Sequence, residues 1–168
     1  MRQPHNRKRR ARRGFTLVEI LVVLVIIGIA AAMVVPRLGN TGDIQASSAA
    51  RAAVANLQYA QNEAIVRQAP ITVAFDIDQE SYELRDNGGT PLEHPTTKRD
   101  FTVAFRSTRG IKRVELLSAN FNGAPTLTFD ALGGPVQGGQ VTLGADGNTW
   151  RLTVAPVTGK ITVAQVAP

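Results

Sequence analysis

The chain has 168 residues, a formal net charge of +6 and no cysteine. This length fits one compact domain with an appendage, and the lack of cysteine excludes disulfide scaffolds, thiolate zinc sites and thiol catalysis. The positive charge is concentrated at one end. Residues 1–14 carry seven Lys and Arg and no acid, whereas residues 15–168 sum to −1. A globally cationic domain is therefore excluded.

An apolar run follows the basic segment and is closed by Pro36, with Thr16 and Glu19 as its polar residues. As a helix it would be about 31 Å long, which is enough to cross the hydrocarbon core of a bilayer. The Lys and Arg residues in front of it predict a cytoplasmic N-terminus and an exported C-terminus. We therefore expect a transmembrane helix over residues 15–36.

Residues 37–70 have the pattern of an amphipathic helix that continues the first one and ends before Pro70. Asp43 is the predicted N-cap, after a weak link at residues 39–42. Apolar residues recur at steps of three and four and predict one buried stripe. The stripe consists of Ala49, Ala50, Ala53, Val54, Leu57, Ala60, Ala64 and Ile65.

The remainder, residues 71–168, reads as short strands and turns. Apolar and polar residues alternate over residues 71–78, and Gly-rich turns are expected at residues 86–89, 146–148 and 158–159. Further strands are predicted at residues 101–105, 114–117, 127–129, 141–143, 150–154 and 161–163. The expected fold class is α+β, in which a long N-terminal helix packs its second half on an antiparallel sheet or sandwich.

Glu19 is the unusual residue of the apolar run. A carboxylate there costs about 2.5–3.5 kcal/mol on membrane insertion, so it needs a partner, and no basic side chain lies between Arg13 and Arg37. If the chain were cut after Gly14, Phe15 would carry a free amine four residues before Glu19. In a stack of identical helices, the amine of one subunit could pair with the carboxylate of its neighbour and set the register.

Three interpretations of residues 1–36 follow from these observations. The first is a secretory signal peptide with a cleavage site at Ala30-Ala31-Ala32. The second is a plain membrane anchor. The third assigns a processing role to Gly14 and an assembly role to Glu19.

Residues 13–24, Arg-Gly-Phe-Thr-Leu-Val-Glu-Ile-Leu-Val-Val-Leu, favour the third interpretation, because they resemble the leader of type IV prepilins and type II secretion pseudopilins. The resemblance implies cleavage between Gly14 and Phe15, N-methylation of Phe15, an assembly role for Glu19 and a helix bend at Pro36. Residues 56–70, and less closely 127–163, are similar to GspH/FimT pseudopilins. The chain lacks both the cysteine pair of many major pilins and the Asp-Pro-Trp-Gly-like segment of major pseudopilins, which indicates a minor subunit.

The resemblance implies a pilin-like fold and a structural role, as a minor pseudopilin of a bacterial type II secretion system, with no enzymatic activity and no cofactor. Residues 1–14 would be the leader that prepilin peptidase removes. The chain would stay in the inner membrane with its N-terminus cytoplasmic and residues 71–168 periplasmic, and then enter the pseudopilus. Its partners would be other pilin subunits and the inner-membrane assembly platform. The alternative is a FimT-like minor type IV pilin for pilus assembly or DNA uptake.

The β region separates its charges. Residues 76–93 sum to −5 and residues 98–113 to +5. Neighbouring loops or strands that offset each other are the predicted explanation, and the alternative is a basic patch for nucleic acid. That patch would consist of Arg106, Arg109, Lys112 and Arg113. Asp76, Asp78 and Glu80 are expected on a solvated strand face, since the spacing does not match a calcium loop, and no catalytic or metal site is expected.

Overall fold

The computed structural model describes residues 15–34 and 41–166, and gives only the backbone of residues 33 and 34. The chain divides into two units, Met1–Gly39 and Asn40–Pro168. Helix α1 (Leu17–Val34) belongs to the first unit and all other described elements to the second. Pro36 lies outside the described residues, so its predicted role as a helix bend stays a prediction.

Helix α1 carries apolar side chains on all sides, and the large ones among its described residues are about half exposed or more. Within the part of the chain that the structure describes, no helix is both long and apolar enough to cross a membrane. The expectation of a transmembrane helix over residues 15–36 stays a prediction, and part of that range lies outside the described residues.

Helix α2 (Thr41–Arg67) is amphipathic and packs its small apolar face against both sheets of the second unit. The predicted stripe is confirmed at the buried positions Ala49, Ala50, Ala53, Leu57, Ala60 and Ala64. It is wrong at Ile65, which is 47% exposed, because this residue lies on the outer flank of the last turn. The face begins earlier than predicted, since Gly42 and Ala46 are also buried.

The predicted N-cap at Asp43 is wrong, because α2 begins at Thr41 and Asp43 lies in its first turn. One carboxylate oxygen of Asp43 accepts hydrogen bonds from Trp150 Nε1 at 3.0 Å and from Gln165 Nε2 at 3.3 Å. The side chain therefore ties the start of α2 to the sheet below it. Thr41 and Gly42, expected in a link, belong to the helix, and Gly42 is buried.

Within the described residues, eight strands form two four-stranded antiparallel sheets, so the predicted α+β architecture is confirmed. The first sheet has the order β3-β2-β1-β5 and the second the order β4-β6-β7-β8. The strands are β1 (Ile71–Asp76), β2 (Ser81–Arg85), β3 (Thr102–Ala104), β4 (Glu115–Asn120), β5 (Thr126–Phe129), β6 (Gly139–Ala145), β7 (Asn148–Val154) and β8 (Ile161–Val166).

The turns follow the predicted chemistry. In the first, Asp86 Oδ1 accepts hydrogen bonds from the backbone N–H groups of Gly88 and Thr90, each at 2.9 Å. Between β6 and β7, Asp146 and Gly147 both have positive φ values, of 50° and 84°. This is the backbone that a two-residue hairpin requires, and it explains why Gly follows Asp at this point.

A single apolar core lies between α2 and the inner faces of the two sheets. Its centre is aromatic, with the ring of Phe75 5.6 Å from that of Tyr82 and 5.7 Å from that of Phe121. All buried apolar residues of the described chain lie between Ala46 and Val154. A fragment of residues 41–168 therefore contains every buried apolar residue that the structure describes.

Candidate functional site

The start of α1 is built around Thr16, whose side-chain oxygen accepts a hydrogen bond from Glu19 N at 3.1 Å. The Thr16 carbonyl accepts the first helical bond, from Ile20 N at 3.2 Å. Thr16 is thus the N-cap, and Thr16-x-x-Glu19 has the spacing of a capping box. The sequence-based expectations do not include this N-cap, although the Thr-x-x-Glu spacing indicates it.

Glu19 occupies the first turn of α1, where the positive end of the helix dipole favours an acid. The side chain is exposed, and residues 15–34 contain no basic residue that could pair with it. Phe15 and Leu17 beside it are 78% and 82% exposed. The Glu19 carboxylate thus lies on an apolar surface. A group of opposite charge that pairs with it would have to come from outside residues 15–34. Gly14 lies outside the described residues, so the proposed cleavage bond is not described.

The predicted basic patch does not form a single unpaired surface. Arg106 binds Glu80 with two hydrogen bonds, Nε to Oε2 at 2.6 Å and Nη2 to Oε1 at 2.9 Å. The hydrogen bonds from Arg106 lower the pKa of the Glu80 carboxyl, against the raising effect of its burial. A bidentate pair of this kind fixes the loop after β3 to the turn between β1 and β2.

Arg113 is also paired, since its Nη1 donates to Asp146 Oδ2 at 2.9 Å and its backbone N–H donates to Gln45 Oε1 at 3.2 Å. Arg109 and Lys112 are exposed and form no ion pair with any of the described residues. The four predicted residues thus divide into two anchors and two free cations. Lys98 Nζ lies 3.1 Å from Glu93 Oε1, and this pair, like Arg106 with Glu80, joins the basic run to the acidic run.

The predicted mutual neutralisation of the two charged runs is confirmed at these pairs. The expected solvated strand face at Asp76, Asp78 and Glu80 is wrong, because β1 ends at Asp76 and the chain turns at once. Gln79 N donates to Asp76 Oδ1 at 2.8 Å within that turn, and Glu80 is buried with φ 50°. A three-residue alternation is too short to distinguish a strand from a turn.

The outward face of the first sheet carries a groove of about 700 Å³. Its polar lining includes Asp76, Ser81, Glu83, Arg85 and Thr102, and Glu83 and Arg85 form an ion pair with each other. Among the described residues, no three His, Cys, Asp or Glu side chains are grouped so as to hold a metal ion.

Two family models match this chain. A family model described as type II transport protein GspH matches residues 49–158, which is more than half of the chain. The chain belongs to the GspH family. A second model, the prokaryotic N-terminal methylation motif, matches residues 9–35. The two matches place the methylation motif over α1 and the GspH signature over α2 and most of the β region.

Individual relatives agree with the GspH assignment. The type II secretion system protein H of Xanthomonas campestris is 28% identical over 154 residues, which cover 91% of this chain and 83% of that protein. The minor pseudopilin EpsH of Vibrio cholerae has a similar structure, with a TM-score of 0.56 and 16% identity, covering 72% of this chain and 97% of EpsH. The type IV minor pilin FimU of Pseudomonas aeruginosa also has a similar structure, with a TM-score of 0.51 and 22% identity. The match covers 71% of this chain and 87% of FimU. At these identities, the two structures establish the shared fold alone.

Proposed function

We propose that this GspH-family chain is a minor pseudopilin of a bacterial type II secretion system and acts by assembly. The observation that carries the proposal is the presence in one chain of the methylation motif at residues 9–35 and the GspH match at residues 49–158. An anchored, apolar helix supplies a polymerisation segment, and the compact β unit supplies a specific outer surface. The net positive charge of the precursor comes from residues 1–14, which precede both of these parts.

Processing would create the functional N-terminus. Prepilin peptidase would cut between Gly14 and Phe15 and methylate the new amine, so that residues 1–14 leave and a nearly neutral chain remains. Before assembly, the chain would lie in the inner membrane with residues 1–14 in the cytoplasm and the unit from Asn40 onward in the periplasm. The assembly platform of that membrane would then move it into the pseudopilus.

Glu19 would guide the docking step. Its charge is costly in lipid, and the amine of Phe15 on a neighbouring subunit is a partner of opposite charge that an axial offset of about 6 Å would bring level with it. Pairing would neutralise both groups and fix the axial position of one helix against the next. Thr16, as the N-cap, would hold the first turn in the geometry that presents both groups.

Intact mass of the full chain, produced with and without prepilin peptidase, tests the processing step. We expect a mature chain that begins at Phe15 and carries one methyl group. A mature chain that begins at Met33 would show cleavage after Ala30-Ala31-Ala32 and refute the pilin interpretation.

Glu19→Gln tests the assembly step, because it keeps the size of the side chain and removes the charge. We expect normal leader cleavage and membrane insertion, and a severe loss of the chain from sheared pseudopili. Val18→Ala is the matched control and should assemble normally. Normal incorporation of the Glu19→Gln chain would contradict the amine–carboxylate pairing.

A second candidate function, a minor type IV pilin that takes part in pilus assembly or DNA uptake, is supported by the structural likeness to FimU and by two free cations, Arg109 and Lys112. Mobility shifts of DNA with residues 41–168 at several salt concentrations test DNA binding. Under this function, the double substitution of Arg109 and Lys112 by Gln would reduce the salt slope by about two, one for each lost phosphate contact. Lys160→Gln is the control. Absence of salt-sensitive binding would favour secretion.

A further inference from the structure

Strand β8 is the last strand of the second sheet, and one of its edges faces away from β7. Ala155 N–H donates to Lys160 O at 2.9 Å at the closed end of the β7–β8 hairpin. Hydrogen-bonded pairs of an antiparallel ladder recur at every second position, so they continue at Thr153–Thr162, Arg151–Ala164 and Thr149–Val166. The backbone N–H and C=O groups of Ile161, Val163 and Gln165 therefore point outward from the sheet.

In the part of the chain that the structure describes, these outward groups have no strand partner. Among residues 41–166, no hydrogen bond from another segment reaches the backbone N–H or C=O of Ile161, Val163 or Gln165. An edge of this kind presents a row of donors and acceptors at the spacing of an extended chain. Its natural ligand is a further β-strand.

The side chains of β8 indicate what that strand would cover. Ile161 and Val163 face α2 and pack against the core, but each stays only half-buried because the sheet ends there. An added strand with apolar residues at alternate positions would complete their cover. The β8 sequence, Ile-Thr-Val-Ala-Gln-Val, has no charge and no proline, so it sets no electrostatic or steric barrier to a neighbour.

The other three sheet edges are protected by known devices. Strand β3 has only three residues, and β4 carries an irregular register between Leu116 and Ser118. The outer edge of β5 is covered by the following loop, in which Val136 N–H donates to Thr128 O at 2.8 Å and Phe129 bridges Pro135. Short edges, bulges and covering loops all prevent edge-to-edge pairing. Within residues 41–166, β8 is thus the edge that lacks such protection.

We propose that β8 is a strand-addition site, at which an extended segment of a companion pseudopilin, another subunit of the same filament, joins the β4-β6-β7-β8 sheet. The inference rests on the proposed function, since companion subunits exist only if the chain assembles. The partner strand bonds to the backbone of Ile161, Val163 and Gln165 and places apolar side chains toward α2. Backbone bonding supplies the affinity, and the half-covered pair Ile161 and Val163 selects the register.

Amide hydrogen exchange of residues 41–168, alone and with the soluble domains of the companion pseudopilins, tests the edge directly. In the free protein, we expect slow exchange at Thr162, Ala164 and Val166, and fast exchange at Ile161, Val163 and Gln165. A bound companion should slow the three fast amides at least about tenfold. A complex that forms while these three amides stay fast would overturn the inference.

Two substitutions at Val163 separate the backbone from the side chain. Val163→Pro removes an outward N–H without breaking a bond to β7, whereas Val163→Ala shortens the same side chain and keeps the N–H. Thermal unfolding of both variants shows whether each one folds. We expect Val163→Pro to weaken companion binding about tenfold or more, as expected for a lost strand contact, and Val163→Ala to weaken it far less. Equal binding by the two folded variants would overturn strand addition.

Full-length chains in secreting cells distinguish failure of the edge from failure of the function. If the Val163→Pro chain is as abundant in sheared pseudopili as the wild type, the edge inference is wrong while the pseudopilin function stands. If the wild-type chain itself is absent from pseudopili, both are wrong. A complex formed only between two copies of this chain through β8 would also refute a companion subunit as the occupant.

Discussion

Tyr82→Phe should make the β unit less stable at neutral pH and more resistant to alkali. Asn56 Nδ2 of α2 donates to the Tyr82 hydroxyl at 2.7 Å, and the ring is 2% exposed. Removing the hydroxyl leaves the half-buried Asn56 amide without this partner, which costs about 1–2 kcal/mol at pH 7. The Tyr82 hydroxyl thus joins α2 to the first sheet across the core.

Burial raises the pKa of Tyr82 to about 12, although the hydrogen bond from Asn56 acts in the opposite direction. In the unfolded chain the phenol ionises near pH 10, so the unfolded state binds fewer protons above that pH. The stability that depends on the neutral phenol is complete below pH 10 and is lost as the pH rises toward 12. At about 1.4 kcal/mol for each pH unit, the loss reaches roughly 2.7 kcal/mol.

Urea unfolding of residues 41–168 between pH 7 and pH 11.5, followed by the fluorescence of the single tryptophan, Trp150, measures both effects. The wild-type and Tyr82→Phe stabilities should converge near pH 11, where the alkaline loss of the wild type, about 1–2 kcal/mol, equals the cost of the substitution. Tyr59→Phe is the control, because Tyr59 is only half-buried. If Tyr82→Phe loses stability with alkali as steeply as the wild type, the buried phenol is not the cause.

Two further predictions concern the anchors of the β unit. Arg106→Gln should reduce the loss of stability on acidification below about pH 4.5. Arg106 lowers the pKa of Glu80, so the ionised Glu80 stabilises the fold above that pH and loses this effect as it protonates. Acid titration monitored by circular dichroism measures the difference, and an unchanged acid profile would contradict the prediction. Gly42→Ala should destabilise the unit by about 1–3 kcal/mol in urea, despite the better helix propensity of Ala, because the new Cβ would lie 2.5 Å from Asp146 Cβ. An unchanged urea midpoint would show that the β6–β7 turn yields.

Local pattern was sufficient for much of the fold. Alternation over residues 71–78 predicts β1 because its inner positions, Ile71, Val73 and Phe75, are all buried in one sheet face. Strand β2 was not predicted, although Tyr82 and Leu84 alternate with polar residues. This strand lies inside the acidic run, where the many charged residues obscure the alternation of apolar and polar side chains. Its assignment depends on the pairing with β1, which no local pattern contains.

The candidate site shows the same division between local and distant information. The proposed processing and docking residues, Gly14, Phe15 and Glu19, lie within six consecutive positions and can be proposed without a structure. The fate of the basic residues could not be predicted in detail, since Arg106 meets Glu80 across 26 positions. Likewise, Asp43 accepts a hydrogen bond from Trp150, which is 107 positions away in the sequence, and no helix-capping rule describes such a contact.

The two helices differ in what covers their apolar surfaces. Helix α2 buries its small residues against the sheets and leaves its charged residues in solvent, so its stability is provided within the unit. Helix α1 is apolar on all sides, and its described large side chains are exposed, so under the proposed function lipid or other helices would cover it. Transfer between two apolar environments gains little by itself. In the proposed step from membrane to filament, contacts of the β unit and a polar interaction of α1 that is absent from the membrane state would both favour assembly, and Glu19 is the side chain on α1 that we propose for the polar interaction.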